Sequence, residues 1–427
     1  MGRCGIDTSP SKAIATNLHL QIHCRNHKER FMVPWLIVGG GPHGVHVAVS
    51  LLNAGVPPQD LQIVDPHAEL LEHWTTCTRR TGMTHLRSPS VHHLDMDPWS
   101  LRSFAAKWRP DEPCEQPFRA PYSRPALPLF QAHCRFVIDR YGLNDRFEQA
   151  TVEALDPTPS GTLRVKTDRS EFEAARVVLA LGSDGARAWP AWAVAAREAR
   201  PDRIQHVFDP DFSLDERVDV HSVAVVGGGI TGAQIALRLR DAGKRVTMVC
   251  RHRFRRQQFD SDPMWLGPAK MRSFLRIGDA AERRRVIDGA RHRGTMPAEV
   301  HRELRAAISR RHIRSIRGSI RGCLALHDGM ALALQSGSVE ADAVVLATGF
   351  AGMPGTNLLN SLPIHSGFTR ARCGTPLVDP YLHWHANVYC AGALAELELG
   401  PGARNIAGAR RAGERLVATV QSGSLAS

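Results

Sequence analysis

A chain of 427 residues has room for two or three domains with substantial cores. Its 43% apolar and 22% charged content is that of an ordinary globular protein, and no apolar run reaches the ~20 residues of a membrane helix. The net charge of +12 is carried by arginine, since all but six of the 54 basic residues are Arg, spread along the chain. No homeodomain, zinc-finger or RNA-recognition pattern accompanies them, which argues against a nucleic-acid partner.

Residues 1–31 lack the apolar core of a secretory signal and are expected to form a disordered extension. The first strand, Trp35–Val38, runs into Gly39-Gly40-Gly41-Pro42-His43-Gly44, and a helix is expected from Pro42 to Asn53. Gly55 and Pro57-Pro58 stop it, and a second strand, Leu61–Val64, ends in Asp65. Residues 66–125, rich in Pro, His and Trp, read as irregular. A helix near Leu127–Tyr141 follows, then short strands at 151–155, 162–167 and 171–174 and a buried strand, Val177–Leu181, before Gly182.

The plan then repeats. Strand Ser222–Val226 enters Gly227-Gly228-Gly229-Ile230-Thr231-Gly232 and a helix, and strand Arg245–Val249 comes next. Helices are expected near 269–276, 279–290 and 297–309, with short strands at 315–320, 323–327 and 330–335. The unit closes with Val344–Phe350, after which one strand, Asn387–Ala391, and a helix, 403–420, return to the first unit. The expected architecture is α/β: two Rossmann-like dinucleotide-binding units with β-meander crossovers, the second inserted in the first. The expected boundaries are 32–215 and 351–427 for the first unit and 216–350 for the second.

Each fingerprint is Gly-x-Gly-x-x-Gly between a strand and a helix, 188 residues apart from Gly39 to Gly227. That context lets backbone N–H groups and a helix N-terminus hold a pyrophosphate, through Gly39, Gly41 and Gly44 in one unit and Gly227, Gly229 and Gly232 in the other. Asp65, 26 residues beyond Gly39, is placed to accept hydrogen bonds from an unmodified ribose, which suits FAD. The matching strand end of the second unit reads Cys250-Arg251-His252-Arg253, with no carboxylate. Arginine forks there suit a ribose 2′-phosphate, so NADPH is expected, with Arg251 and Arg253 as its contacts. The nine cysteines form no Cys-x-x-Cys pair and no zinc spacing, which argues against thiol–disulfide chemistry and suits a cytoplasmic protein. His43 is read as packing on a neighbour, and no metal site is expected.

Residues 32–420 resemble the FAD- and NADPH-dependent monooxygenases, nearest to the lysine/ornithine N-hydroxylases. The paired fingerprints, the turn Ala347-Thr348-Gly349-Phe350, Trp74 followed by Gly82-Met83, and the segment Met83–Pro89 carry the resemblance. The sequence departs from that family at Gly392-Ala393, where a Gly-Asp pair is usual. The resemblance implies oxygen transfer to a small molecule through an oxygen adduct at flavin C4a. It also implies cofactor contacts at Trp74, Gly349 and Gly392, and Arg87 as a substrate or flavin-face contact. An NADPH:acceptor reductase without a redox disulfide, or a non-catalytic FAD/NADP-binding protein, are the alternatives.

Overall fold

The computed structural model describes residues 32–109, 116–182, 187–213, 216–362 and 367–423. The expectation for residues 1–31 lies outside them.

Alternation of small and branched apolar residues makes strand Ser222–Val226 bury both of its faces. Val223 and Val225 join one core layer, with the helices Ile230–Asp241 and Ala298–Ser309. Ala224 and Val226 join the opposite layer, with helix Ala191–Ala199 and the meander Ile320–Ala325, Met330–Leu334 and Gly337–Ala341. The result is a parallel five-stranded sheet ordered Ile313–Arg317, Arg245–Cys250, Ser222–Val226, Ala343–Leu346 and Ile204–His206.

The first unit uses the same arrangement on a larger core. Strand Met32–Val38 lies between Leu61–Asp65 and Glu171–Leu179, all parallel, with Phe147–Gln149 beyond the former and Val388–Cys390 beyond the latter. Val152–Pro157 and Leu163–Thr167 form an antiparallel meander that runs into Glu171–Leu179. Helix Pro42–Asn53 is covered by the last helix, Ile406–Gly423. The two approach closely because Gly413 has no side chain: a Cβ there meets the Ser50 hydroxyl at 2.3 Å.

Two expectations are corrected. The break at 215/216 does not follow the sheets, because Ile204–His206 precedes it and yet pairs with Ala343–Leu346 at the edge of the second sheet. The stretch 66–125 is not irregular throughout, since it contains helices Glu72–Thr81 and Ser100–Lys107 and a short hairpin, Phe118–Arg119 with Arg124–Pro125.

In both sheets the chain order reverses beside the glycine loop, between Met32–Val38 and Glu171–Leu179 and between Ser222–Val226 and Ala343–Leu346. The crevice at the carboxyl ends of strands at such a reversal is where open α/β sheets bind ligands.

Candidate functional site: two glycine seats and an arginine-tied cleft

The glycine loops turn as tightly as their spacing suggests. Gly39 (φ +115°) and Gly227 (φ +141°) hold a backbone region open to glycine, and a Cβ at either comes within 2.5 and 2.4 Å of the Ala180 and Ala347 carbonyl oxygens. Gly44 and Gly232 close each loop against the carbonyl of its own first glycine. Gly41 and Gly229 are the extended N-cap residues of the helices that follow, so each helix start points out of its loop.

The first seat is open and acidic at its edge. Nothing lies within 4 Å of where a Cβ on Gly41 would stand. Asp65 accepts from the Gly40 N–H at 2.6 Å through one oxygen, and its other oxygen meets both the His67 N–H at 2.9 Å and the His67 Nδ1 at 2.7 Å. A carboxylate has about four acceptor sites, so the oxygen that meets Gly40 keeps capacity for a ribose hydroxyl. Trp74, on helix Glu72–Thr81, is half-buried with its ring 5.4 Å from that of Phe130.

Gly392 (φ +62°) returns to this seat from the C-terminal segment and meets the His43 ring. Burial lowers the His43 imidazole to about 4, partly offset by a hydrogen bond with the Arg404 backbone, and its Nδ1 is buried with no hydrogen-bond partner. The same C-terminal segment carries Glu396, which accepts from Arg404 at 2.6 and 2.9 Å and from Arg284. Burial pushes the Glu396 carboxyl up, but these two guanidinium groups outweigh it and hold the group below the usual carboxylate range.

The second seat is covered and basic. A Cβ on Gly229 lies 3.2 Å from Gly294 Cα, so the turn Arg293-Gly294 stands where the first seat is empty. Arg255 fixes this turn by donating to the Arg293 carbonyl at 2.8 Å, and Arg255-Arg256 pairs in parallel with Thr295-Met296. Beside it lies a cleft of about 690 Å³ lined by Arg255, Arg256, Arg291, His292, Arg293 and Thr295, among others. Arg251 and Arg253, expected as the phosphate contacts, are exposed and do not line it. The basic lining comes from two residues further along the same run and from a loop some forty residues on. That second contribution had no local signal in the sequence.

Gly349 (φ +80°) follows strand Ala343–Leu346, and its carbonyl accepts from the Ala188 N–H at 2.9 Å. Arg87 departs from its expected role. Its Nε donates to the Gln258 carbonyl at 2.9 Å and its Nη2 to that of Gln257 at 3.0 Å, so the fork is engaged in joining two segments.

Other arginines make similar ties between the units. Arg124, 1% exposed, pairs with Glu299 at 2.6 Å. Arg80 donates to the carbonyls of Asp209 and Pro210 and itself accepts, through its carbonyl, from Arg238 at 2.6 Å. Arg283 pairs with Glu398 at 3.0 Å.

The residues present fit two dinucleotides. The first seat has an uncovered glycine, a helix start, an acid with acceptor capacity and an orphaned buried imidazole nitrogen. The second has the same loop with a basic cleft. Among the described residues no group of His, Cys, Asp and Glu suits a metal ion, and no helix is long and apolar enough to cross a membrane.

Solved structures with the same fold cover most of the chain. The ornithine hydroxylase of Pseudomonas aeruginosa superposes with a TM-score of 0.71 at 16% identity, over 91% of this chain and 99% of its own. The cadaverine monooxygenase of Erwinia amylovora gives 0.70 at 15%, over 92% and 95%. The L-lysine 6-monooxygenase of Pseudomonas syringae gives 0.67 at 18%, over 91% and 99%. At these identities the likeness is one of fold. Among curated proteins the sequence finds no match. The pattern of the pyridine nucleotide-disulphide oxidoreductases matches residues 36–290, more than half of the chain, and the two glycine seats are where that pattern lies: the protein belongs to this family.

Proposed function

We propose that the protein is an FAD- and NADPH-dependent oxidoreductase, a flavin monooxygenase that uses oxygen to oxidise a small molecule. The observation that carries the reading is the pair of glycine seats at two sheet reversals, one open and acid-edged, the other beside an arginine-lined cleft. The fold superposes better on the amine and amino-acid monooxygenases (TM-scores 0.67 to 0.71) than on the bacillithiol disulfide reductases that share it (0.55 and 0.60), which favours oxygen transfer over the other reactions of the family. The sequence has no Cys-x-x-Cys pair to receive electrons as a dithiol. The cysteines among the described residues are all free, which supports a cytoplasmic location.

A bound flavin would supply the hydride-accepting and oxygen-activating chemistry, as cofactors do in such enzymes. The chain supplies placement. The first fingerprint and the start of helix Pro42–Asn53 hold the flavin diphosphate, and Asp65 takes the ribose hydroxyls. Arg255, Arg256 and Arg293 hold the phosphates of NADPH and discriminate for its 2′-phosphate. Arg87 positions the segment Gln257-Gln258 between the units, and so acts on the cleft without touching the reacting atoms.

The test is direct. Purified protein loaded with FAD is given NADPH in an oxygen electrode, with cadaverine, L-ornithine and L-lysine as trial substrates. Oxygen uptake matching NADPH loss, with oxygen from O₂ found in a product, supports the reading. NADPH oxidation that proceeds with artificial acceptors under nitrogen and never consumes oxygen makes the protein a reductase instead.

A further inference from the structure

The wall of the cleft beside the second seat carries a buried cation without a counter-charge. Arg291 lines this cleft of about 690 Å³, and with 19% of its side chain open it is shielded where Arg255, Arg256 and Arg293 are exposed. Its Nε is buried with no hydrogen-bond partner. Asp260, the acid that approaches it, stands 3.8 Å from Nη2, too far to accept a hydrogen bond. The other oxygen of Asp260 already accepts from Asn405 at 3.2 Å.

The guanidinium groups nearby all have partners. Arg255 donates to the Arg293 carbonyl, Arg293 pairs with Asp288 at 2.7 Å, and Arg284 and Arg404 share Glu396. Arg291 nevertheless has a fixed position. Its backbone bridges to Ser261, and the next N–H, that of His292, donates to the Asp260 carbonyl at 2.6 Å. Burial, and after it the charge of Arg404, hold its guanidinium below the usual arginine value, and Asp260 and Glu396 offset this only in part.

Arg87 and Arg124 are also largely buried, but their forks are engaged on carbonyls and a carboxylate across the cleft. The Arg291 fork faces a cavity instead. A buried charge without a partner is destabilising by itself, so its place in a cleft wall points to a ligand of opposite charge. A planar fork of parallel N–H groups matches two oxygens on one atom, as in a carboxylate or a phosphate.

We propose that Arg291 is an anion-binding residue of this cleft, taking two oxygens of a carboxylate or phosphate group through its guanidinium fork. The source of that group rests on the flavin monooxygenase reading above: the diphosphate of NADPH or an acid group of the substrate.

Arg291→Met removes the charge at similar length, and Arg291→Lys keeps the charge without the fork. Melting of the apoprotein is followed in about 50 mM inorganic phosphate and in sodium chloride of equal ionic strength. Phosphate should raise the wild-type melting temperature above the chloride value, and Arg291→Met should lose at least half of that rise. Without phosphate, Arg291→Met should melt at or above the wild-type temperature, because the side chain it loses ties nothing together. A phosphate response equal in variant and wild type overturns the proposal, as does a wild type that does not respond. An Arg291→Met apoprotein that melts several degrees lower makes the residue a structural tie and overturns it too.

The FAD-loaded protein then identifies the source. A Kd raised alike for NADPH and NADH, about tenfold or more in Arg291→Met and less in Arg291→Lys, assigns the fork to the diphosphate that both nucleotides carry. Unchanged nucleotide affinity, with KM raised as much for L-ornithine and L-lysine but not for cadaverine, which has no acid group, assigns it to the substrate. Wild-type affinity for both nucleotides and wild-type kinetics on the acid substrates overturn the proposal whatever the phosphate result. Wild-type protein that takes up neither FAD nor NADPH removes the flavin reading, and the phosphate comparison still decides whether Arg291 binds an anion.

Discussion

Gly41 and Gly229 hold equivalent places in the two fingerprints, at the caps of helices with the same extended backbone, yet they face opposite surroundings. Gly41 looks onto open space, whereas Gly229 is covered by the backbone of Gly294. The acid Asp65 braces the first loop through the Gly40 N–H, whereas among the described residues no carboxylate does so in the second, where Cys250 ends the strand. The repeated motif therefore sets the turn and the helix start. What each seat accepts is set by residues outside the motif, one at a strand end and the others on a loop distant in sequence.

The hardest way to break this comparison is at the feature both seats share. Gly39→Ala places a Cβ 2.5 Å from the Ala180 oxygen at φ +115°, and Gly227→Ala does the same at Ala347. Each should cost more than about 3 kcal/mol and lower the melting temperature by about 10 °C or lose soluble protein altogether. A melting curve like the wild type's for either variant means the loop has another conformation.

Asp65→Ala should weaken FAD binding by about a hundredfold, through the loss of both the ribose contact and the brace on Gly40, while NADP⁺ affinity stays within about twofold. Titration of both nucleotides on one preparation reads this, and losses of equal size would mean that the seats are not independent. In the second seat, Arg255→Ala and Arg256→Ala should each weaken NADPH binding about tenfold and NADH binding far less. Arg251→Ala should change either by less than about twofold. If Arg251→Ala is the more damaging, the phosphate sits at the strand end and not in the cleft lined by Arg255 and Arg293.

The smallest effect expected is one of pH. Burial lowers the imidazoles of His43, His46 and His92 to about 4 and that of His133 to about 3 in the first unit, against His206, also at about 4, on the edge strand of the second sheet. These groups bind protons in the unfolded chain at pH values where the folded protein does not. Stability is therefore complete above pH 6.5 and falls as the pH drops towards 4. The first unit should loosen first on acidification, releasing FAD before the second sheet unfolds. Flavin fluorescence and far-UV circular dichroism followed together from pH 7 to 4 check the order, and simultaneous change would refute it.

Much of this was legible in the sequence because it depends on local rules. Runs such as Leu36-Ile37-Val38 before Gly39 and Val223–Val226 before Gly227 specify buried strands, and the glycine spacing specifies the turn and helix start. Helix Glu72–Thr81 was not legible, because its polar, threonine-rich sequence has weak helical preference and no side-chain cap. It is held from outside, by the Leu71 N–H on the Gly40 carbonyl and by Arg80 on Asp209 and Pro210. Ile204–His206 is a strand only because Ala343–Leu346 accepts it at its edge. For Arg87 the residue type was right for an anion, but its partners are carbonyls about 170 positions away, and no spacing rule reaches that far.

The arginine ties at Arg80, Arg87, Arg124 and Arg283 give the high positive charge of the chain a mechanical meaning. Guanidinium groups planted on one lobe and clasping carbonyls or carboxylates of the other act as rivets. A swing of the nucleotide lobe, as a shuttling enzyme would use to trade one partner for another, would have to unfasten several of them at once. The distance between electron donor and electron acceptor is thereby fixed at assembly, and turnover should proceed with both lobes at rest.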